Sequence, residues 1–303
     1  MDMVYRNVYE AVPSTINFLI NMILIDGKKE AADLREELKK EVLTLKSEHN
    51  KVPGLTVILI GDLTPSQIYV RNKEKAANEV GLKSEVVKYP DSVDEKTVLD
   101  KIKELNSDDS VSGILVQLPL PKHINKQHVI ETISPNKDVD GLHPMNVGNL
   151  SSGYQGSIPC TPLGCYFLIK KIEPNLSGKK AVMIGRSNLN GKAMAQLLLQ
   201  EDCTVTITHS KTKDLQGECL EADVIVAAVG IPELIKGDWV KQDTIVIDVG
   251  INKTENGIVG DVKFDEVSKV AKALTPVPGG VGPMTIACLL KNTIECFKRA
   301  QKK

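Results

Sequence analysis

The chain has 303 residues, of which 42% are hydrophobic and 25% charged, so a disordered or fibrous protein is excluded and, at roughly 100–200 residues per domain, two domains are expected. With 38 Lys and Arg against 39 Asp and Glu, the net charge of -1 gives no electrostatic footprint for nucleic acid or an anionic membrane, and a small molecule becomes the expected partner. The six cysteines (160, 165, 203, 219, 288, 296) have neither zinc-site spacing nor the density of a disulfide scaffold, and read as reduced cytosolic thiols. A metal held by Cys160 and Cys165 lacks a nearby His, so packing is the better account and no metal is expected.

Residues 1–21 carry Asp2 and Glu10 against Arg6, which fits neither a signal nor a transit peptide, and read as a poorly packed N-terminal extension. Met22 serves equally well as the start of the functional chain. The apolar run Ile16 to Ile25 is too short for a bilayer, which needs about 20 residues, so no membrane is expected. A strand-like Ile23-Leu24-Ile25 and a turn at Asp26-Gly27 precede a helical pattern from Lys28 to His49. A buried strand follows (55–61), then a helix to Val80 that Ser66 can cap, a strand (84–89), a helix (94–106) and a strand (113–118). A turn LPLPK, a helix near 125–133 and the loop SPNKDVDGLHP close this unit, and the Gly/Ser-rich stretch 148–157 reads as a linker. The second unit repeats the alternation: helix 162–172, strand 181–185, helix 191–201, strands 204–209, 223–230 and 244–250, a short strand after Gly257-Ile258, and a closing helix 284–299. Strands alternating with helices predict an α/β fold with parallel sheets, the second doubly wound.

The turn after strand 181–185 reads G-R-S-N-L-N-G, with Gly185 and Gly191 where a nucleotide-binding fold lets pyrophosphate approach backbone at a helix N-terminus. A tight strand-to-helix turn alone also explains those glycines. An NAD-specific unit usually ends its second strand on an acidic residue; this chain has His209-Ser210-Lys211 there, with Arg186 in the facing turn. Positive charge and hydroxyls in place of a carboxylate favour a 2′-phosphate, hence NADP, although for an exposed basic pair such as Arg186 and Lys211 plain solvation is the commoner case.

In the first unit, Tyr69 and Lys73 lie four apart on a helix that starts at the carboxyl end of strand 55–61, the edge at which open α/β sheets bind ligands. Desolvation can bring such a lysine into the range of a general base, although an exposed lysine on an amphipathic helix is an equal reading. Gln117 and the aspartates of KDVDG, Asp138 and Asp140, follow strands of the same sheet. The amide can hold the ammonium; a carboxylate can take two hydrogen bonds from a cyclic amidine edge or cap the loop. T-P-V-P-G-G-V-G-P-M-T (275–285) is rigid at its prolines and open at its glycines, suited to approach a ligand where the units meet.

Taken together, SQIYVRNKEKAANEVG, GILVQLPLPKHI, PNKDVDGLHPMNVG, PCTPLG, GRSNLNGKAMA, VIDVGIN and TPVPGGVGPMT resemble the bifunctional methylenetetrahydrofolate dehydrogenase/methenyltetrahydrofolate cyclohydrolase family, in its bacterial form, from about Ile25 to Arg299. The resemblance implies two α/β domains with a folate cleft between them: a catalytic domain (22–159 plus 285–303) and a Rossmann-like NADP-binding domain (160–284), in a cytoplasmic homodimer acting on tetrahydrofolate derivatives. It implies Lys73 as the catalytic lysine, Tyr69 stacking on the aminobenzoate ring, Gln117 orienting Lys73 and Asp140 anchoring the pterin, with Leu118, Pro278, Gly279 and Gly280 also touching substrate. Gly185, Arg186, Ser187, Gly191, His209, Ser210 and Ile251 are implied to hold NADP. The family's V-G-x-P-M turn is here Asn190-Gly191-Lys192-Ala193-Met194, which loosens the helix start and adds a lysine near phosphate.

The implied reactions are NADP-dependent oxidation of 5,10-methylenetetrahydrofolate to the methenyl compound and its hydrolysis to 10-formyltetrahydrofolate. The alternatives are a monofunctional dehydrogenase, another two-domain Rossmann oxidoreductase, or a binding protein without turnover; Tyr69, Lys73, Gln117 and Asp140 together argue against the last.

Overall fold

The computed structural model describes residues 22–255 and 257–302, so the expected extension 1–21 lies outside the described residues. β1 (Ile23–Leu24) leads to α1 (Gly27–His49), which starts where the Asp26 carboxylate accepts from the N–H groups of Lys28 and Lys29 and stops at Asn50 in the left-handed region. β2 (Gly54–Ile60), α2 (Thr64–Val80), β3 (Lys83–Tyr89), α3 (Glu95–Ser107), β4 (Gly113–Val116) and α4 (Lys126–Thr132) then alternate. They build a parallel sheet in the order β3-β2-β4, with β2 buried along its whole length because it is central. Ser66 does not cap α2: the helix begins two residues earlier, with Leu63 at the cap position and Pro65 in the first turn.

The stretch expected as a loop and linker contains a helix. α5 (Pro144–Ser152) forms because Pro144 suits a first turn, His143 Nδ1 accepts from the Met145 N–H at 3.0 Å, and Gly153 ends the helix at φ +74°.

α6 (Cys160–Ile172), β5 (Lys180–Ile184), α7 (Gly191–Gln200), β6 (Thr204–Thr208), α8 (Leu215–Glu221), β7 (Val224–Ala227) and β8 (Ile245–Asp248) follow. An antiparallel pair, β9 (Asn252–Thr254) and β10 (Gly257–Val259), precedes α9 (Phe264–Val267), β11 (Ala273–Leu274) and α10 (Val281–Gln301). The second sheet is parallel throughout, in the order β1-β11-β8-β7-β5-β6.

Two features of this sheet differ from the sequence reading. Ile23 and Leu24, expected at the head of the first unit, pair with Ala273 and Leu274 at the outer edge of the second sheet, whose own β11 is too short to show periodicity. β7 and β8 stop short of 230 and 250, because the N–H groups of Val229, Gly230 and Ile231 turn away to the Asp261 carboxylate and that of Gly250 turns back to Asp248.

One hydrophobic cluster runs from β2 (Leu55, Val57, Leu59) through α10 (Ala287, Leu290, Ile294) and α6 (Leu168, Ile169) to β5 (Met183), so α10, last in sequence, ties the two sheets together. Separate clusters fill the opposite faces, around Ile58 and Ile102 on the first sheet and Ile225 and Val246 on the second. Among the described residues, no helix is long and apolar enough to cross a membrane, and no three His, Cys, Asp or Glu side chains cluster to hold a metal. All six cysteines are buried and unpaired.

Candidate active site

α2 starts just beyond the carboxyl end of β2, with Val70, Lys73 and Ala77 on its buried face. Lys73 therefore points at the sheet edge, where its ammonium donates to Gln117 Oε1 at 2.9 Å. Gln117 follows β4; its own N–H is tied to the Ile58 carbonyl, and its Nε2 donates to Leu118 O at 2.7 Å, which fixes the way the amide faces. Lys73 is only 9% exposed, and this burial holds its ammonium below the ordinary lysine range, with the Asp140 carboxylate pulling part of the way back.

Asp140 is half-buried; burial pushes its carboxyl up, and Lys73 opposes the shift. Each partner of this pair is thus driven toward its neutral form by desolvation and toward its charged form by the other. Asp138, two residues earlier, has a different job: its fully buried carboxylate accepts from the N–H groups of Gly141 and His143 (3.0 and 2.8 Å) and from Asn146 Nδ2 (2.9 Å), organising the loop. The loop-capping reading fits Asp138 and leaves Asp140 beside the lysine.

Four residues along a helix advance a full turn plus about 40°, so Tyr69 sits about 6 Å along the axis from Lys73 and rotated out of the core, 39% exposed. Tyr69 faces a cleft of about 550 Å³ between α2 and the second sheet, whose far wall is Ile251, Pro278, Gly279 and Gly280. The expected substrate residues therefore fall into two neighbouring groups. Tyr69 and the 278–280 loop line the open cleft; Lys73, Gln117, Leu118 and Asp140 lie at the sheet edge behind it, where Leu118 and Asp140 border a small pocket of about 20 Å³. Ile251, expected with the cofactor, borders the same cleft.

The glycine turn sits at the carboxyl end of β5. Gly185 has φ +116°, and a Cβ there would lie 2.5 Å from the Ala228 carbonyl; one on Gly191 would lie 2.1 Å from the Gly185 carbonyl. Ser187 Oγ accepts from the Asn190 N–H at 3.1 Å, while Arg186, Ser187, Ser210 and Lys211 are exposed around the turn. His209 is engaged locally, its N–H donating to Thr212 Oγ1 and its Nδ1 accepting from the Lys211 N–H. Asn190 Oδ1 is buried with no partner, a polar atom at a helix start that a bound group can satisfy. These residues fit a phosphorylated dinucleotide: bare backbone at a helix N-terminus, an orphaned amide, and an exposed guanidinium and exposed hydroxyls with no carboxylate at the end of β6.

Two carboxylates that the sequence reading did not single out brace the cleft end of the second sheet. Asp248, closing β8 and lining the cleft, accepts from the N–H groups of Gly250, Asp261 and Val262, each at 2.9 Å; Asp261 accepts from those of Val229, Gly230 and Ile231. Burial pushes the Asp248 carboxyl up to about 6 in spite of those donors. An acidic residue ending an otherwise apolar buried strand, as in VIDVG, is the signal that could have found it. Lys28 and Arg35, on one face of α1, also line the cleft; seven-residue spacing on a charged helix gave no reason to separate them from solvated neighbours.

Residues 25–140 match the family model described as the tetrahydrofolate dehydrogenase/cyclohydrolase catalytic domain, and residues 159–301 the one described as its NAD(P)-binding domain. The chain is 83% identical over 281 residues to the "Bifunctional protein FolD" of Pelagibacter ubique, covering 93% of this chain and 100% of that protein. Among solved structures it is similar to the bifunctional methylenetetrahydrofolate dehydrogenase/cyclohydrolase of Campylobacter jejuni (51% identity, TM-score 0.90, 92% of this chain and 99% of that one). It is also similar to the Trypanosoma brucei dehydrogenase-cyclohydrolase complexed with NADP cofactor and inhibitor (38% identity, TM-score 0.88, 93% and 99%).

Proposed function

The chain belongs to the tetrahydrofolate dehydrogenase/cyclohydrolase family, and from that premise we propose how its own residues carry the two reactions. It is a bifunctional folate enzyme: NADP-dependent oxidation of 5,10-methylenetetrahydrofolate to 5,10-methenyltetrahydrofolate, then hydrolysis to 10-formyltetrahydrofolate. The observation that carries the residue assignment is the buried Lys73–Gln117 hydrogen bond at 2.9 Å, beside Asp140 and one helical turn from Tyr69 in the cleft.

Tyr69 on one wall and the 278–280 loop on the other leave a slot for an aromatic ring, and the Asp140 carboxylate can accept two parallel hydrogen bonds from the amidine edge of the pterin. Gly185, Arg186, Ser187, Gly191 and Ser210 would hold NADP, which when bound takes up the hydride. The protein's part in that step is positioning, with no acid or base required. Apolar walls exclude water, and the carboxylate and amide dipoles near the reacting carbon favour the cationic product.

Hydrolysis needs proton transfer. Neutral Lys73, made accessible by burial, takes a proton from the water whose oxygen bonds to the methenyl carbon. As the bond from that carbon to N5 breaks, the resulting ammonium returns a proton to N5 while the hydroxyl left on the carbon gives its own proton to solvent, so that the formyl C=O forms on N10 and one proton is released overall. Gln117 accepts from the lysine throughout and keeps it aimed. A monofunctional dehydrogenase would have no use for this cluster.

We also place the protein in the cytoplasm as a homodimer. Six unpaired thiols and a nucleotide cofactor suit a reducing compartment, and the formyl product suits one-carbon supply such as purine biosynthesis. Sedimentation at micromolar concentration tests the dimer. Purified protein given methylenetetrahydrofolate with NADP+ or NAD+, followed at the absorbances of both the reduced nicotinamide and the methenyl compound, tests the function; a clear NAD+ preference overturns the roles given to Arg186 and Ser210.

A further inference from the structure

Asn292 lies in the middle of α10, is 5% exposed, and spends both hydrogens of its side-chain amide on two chain segments far away in sequence. Nδ2 donates to the Val139 carbonyl at 2.8 Å and to the Ile158 carbonyl at 2.7 Å. The Val139 carbonyl belongs to the peptide bond that joins Val139 to Asp140, so Asn292 grips the peptide plane from which the Asp140 side chain springs. The Ile158 carbonyl belongs to the peptide just before Pro159 and the start of α6. Cys160, the first residue of α6, closes the ring by donating its thiol to the same Val139 carbonyl at 3.3 Å. Asp138 on the other side of Val139 is held through its carboxylate, so the chain is pinned on both sides of Val139, and the Asp140 carboxyl stands beside Lys73 and the Cys160 thiol.

We propose that Asn292 is a positioning residue for folate, acting through Asp140: its bifurcated amide staples the Asp140 peptide to the 158–160 segment and sets where the carboxylate stands relative to Lys73. The proposal rests on the folate reading of Asp140 above. An amide is suited to the task because it offers two donors at a fixed angle, whereas Asp offers none, Ser one, and Leu, which is similar in size, leaves the Ile158 carbonyl without this donor and the Val139 carbonyl with only the weak Cys160 thiol. α10 also starts directly after Gly280 of the cleft loop, its cap residue, so one rigid helix joins the ring-facing loop to the staple. A displacement of the carboxylate by about 1 Å is enough to cost about 10²-fold in a positioned reaction.

The test is a double-mutant cycle on Asn292→Ala and Asp140→Ala, read as the KM for methylenetetrahydrofolate and for NADP+, with thermal unfolding recorded for each protein. Asn292→Ala should raise the folate KM about tenfold or more, leave the NADP+ KM within about twofold, and have almost no further effect on folate in the Asp140→Ala background. Asn292→Ser, with one donor, should fall between Ala and wild type. Equal losses for folate and NADP+, or an Asn292→Ala effect that persists undiminished without the Asp140 carboxylate, would mean a structural role only and overturn the proposal. A wild-type folate KM for Asp140→Ala alone would instead remove the reading on which it rests. If Asn292→Ala does not fold, the Ser variant carries the same cycle.

Discussion

Lys73 and Gln117 stand 44 residues apart in sequence, yet the lysine ammonium donates to the glutamine oxygen at 2.9 Å at the carboxyl edge of the first sheet. The hydrogen bond compensates a buried amine that has little water to turn to, and it fixes the direction of the nitrogen without charging or discharging it. A neutral acceptor adds nothing to the pull that the nearby Asp140 carboxylate already exerts toward the charged form, so the lysine can pass between its protonated and free forms.

Replacing the lysine should separate the two activities. Lys73→Met keeps the length of the side chain but carries no proton, so cyclohydrolase activity should fall by about 10²-fold or more, while folate still binds through Tyr69 and Asp140. Hydrolysis of the methenyl compound at the wild-type rate would show that another group or solvent moves the proton.

The same burial dictates the direction of the pH dependence. A base works in its free form, and burial lowers the Lys73 ammonium from its ordinary 10.5, so the cyclohydrolase rate should rise with pH and level off below 10.5. The dehydrogenase step, which uses no base, should lack that limb. A pH profile of kcat for each half-reaction checks this; a cyclohydrolase midpoint at or above 10.5 would remove the argument from burial.

The alternation of buried strands and amphipathic helices made both α/β units readable, because parallel strands covered on two sides are continuously apolar, as in LTVILIG. The reading failed where the determinant was not periodic. β11 is two residues long, β1 earns its place only by pairing with it, and α5 was hidden behind Gly148 and the serines of a stretch that looks like a linker. In the site, Lys73, Gln117 and Asp140 could be named from strand order and motif, but spacing put Lys73 and Tyr69 on a common face. The structure separates them into a buried lysine and an exposed ring. Asn292 had no local signature, since what marks it is the distant backbone groups it holds, whereas the acidic end of the apolar strand in VIDVG could have marked Asp248.

At the glycine turn, Arg186→Ala should raise the KM for NADP+ about 10- to 100-fold, the worth of a hydrogen bond to a charged group, and leave the KM for NAD+ nearly unchanged, since NAD+ lacks the 2′-phosphate. Arg186 is exposed beside Ser187 and pairs with no carboxylate among the described residues, so the loss cannot be charged to a broken salt bridge. Parallel losses for the two nucleotides would move the guanidinium away from the ribose.

Ala193 stands where the family turn has proline. α7 tolerates that residue, because the first-turn N–H groups in use are those of Lys192, donating to Ser187 O, and Met194, donating to Asn190 O, with no acceptor for the Ala193 N–H among the described residues. Ala193→Pro should therefore stabilise the fold by about 0.4–1 kcal/mol through the unfolded chain. A lowered thermal midpoint would show that the buried site lacks room for the ring.

Asp248 supplies a test by stability. Its folded carboxyl is raised from 3.8 to about 6 by burial, so between these values the native state binds more protons than the unfolded chain, and stability falls as pH rises through that window. The full shift corresponds to about 3 kcal/mol. Asp248→Asn imitates the protonated form, with one acceptor and a neutral group, and should lack this loss. Measured by urea unfolding, the stability of the variant relative to wild type should thus climb by about 2 kcal/mol from pH 4 to pH 6.5, even if the substitution costs something at both ends. Parallel pH dependences for the two proteins would mean that the three backbone N–H donors around the carboxylate already offset its desolvation, and that Asp248 braces the cleft as an ordinary ionised aspartate.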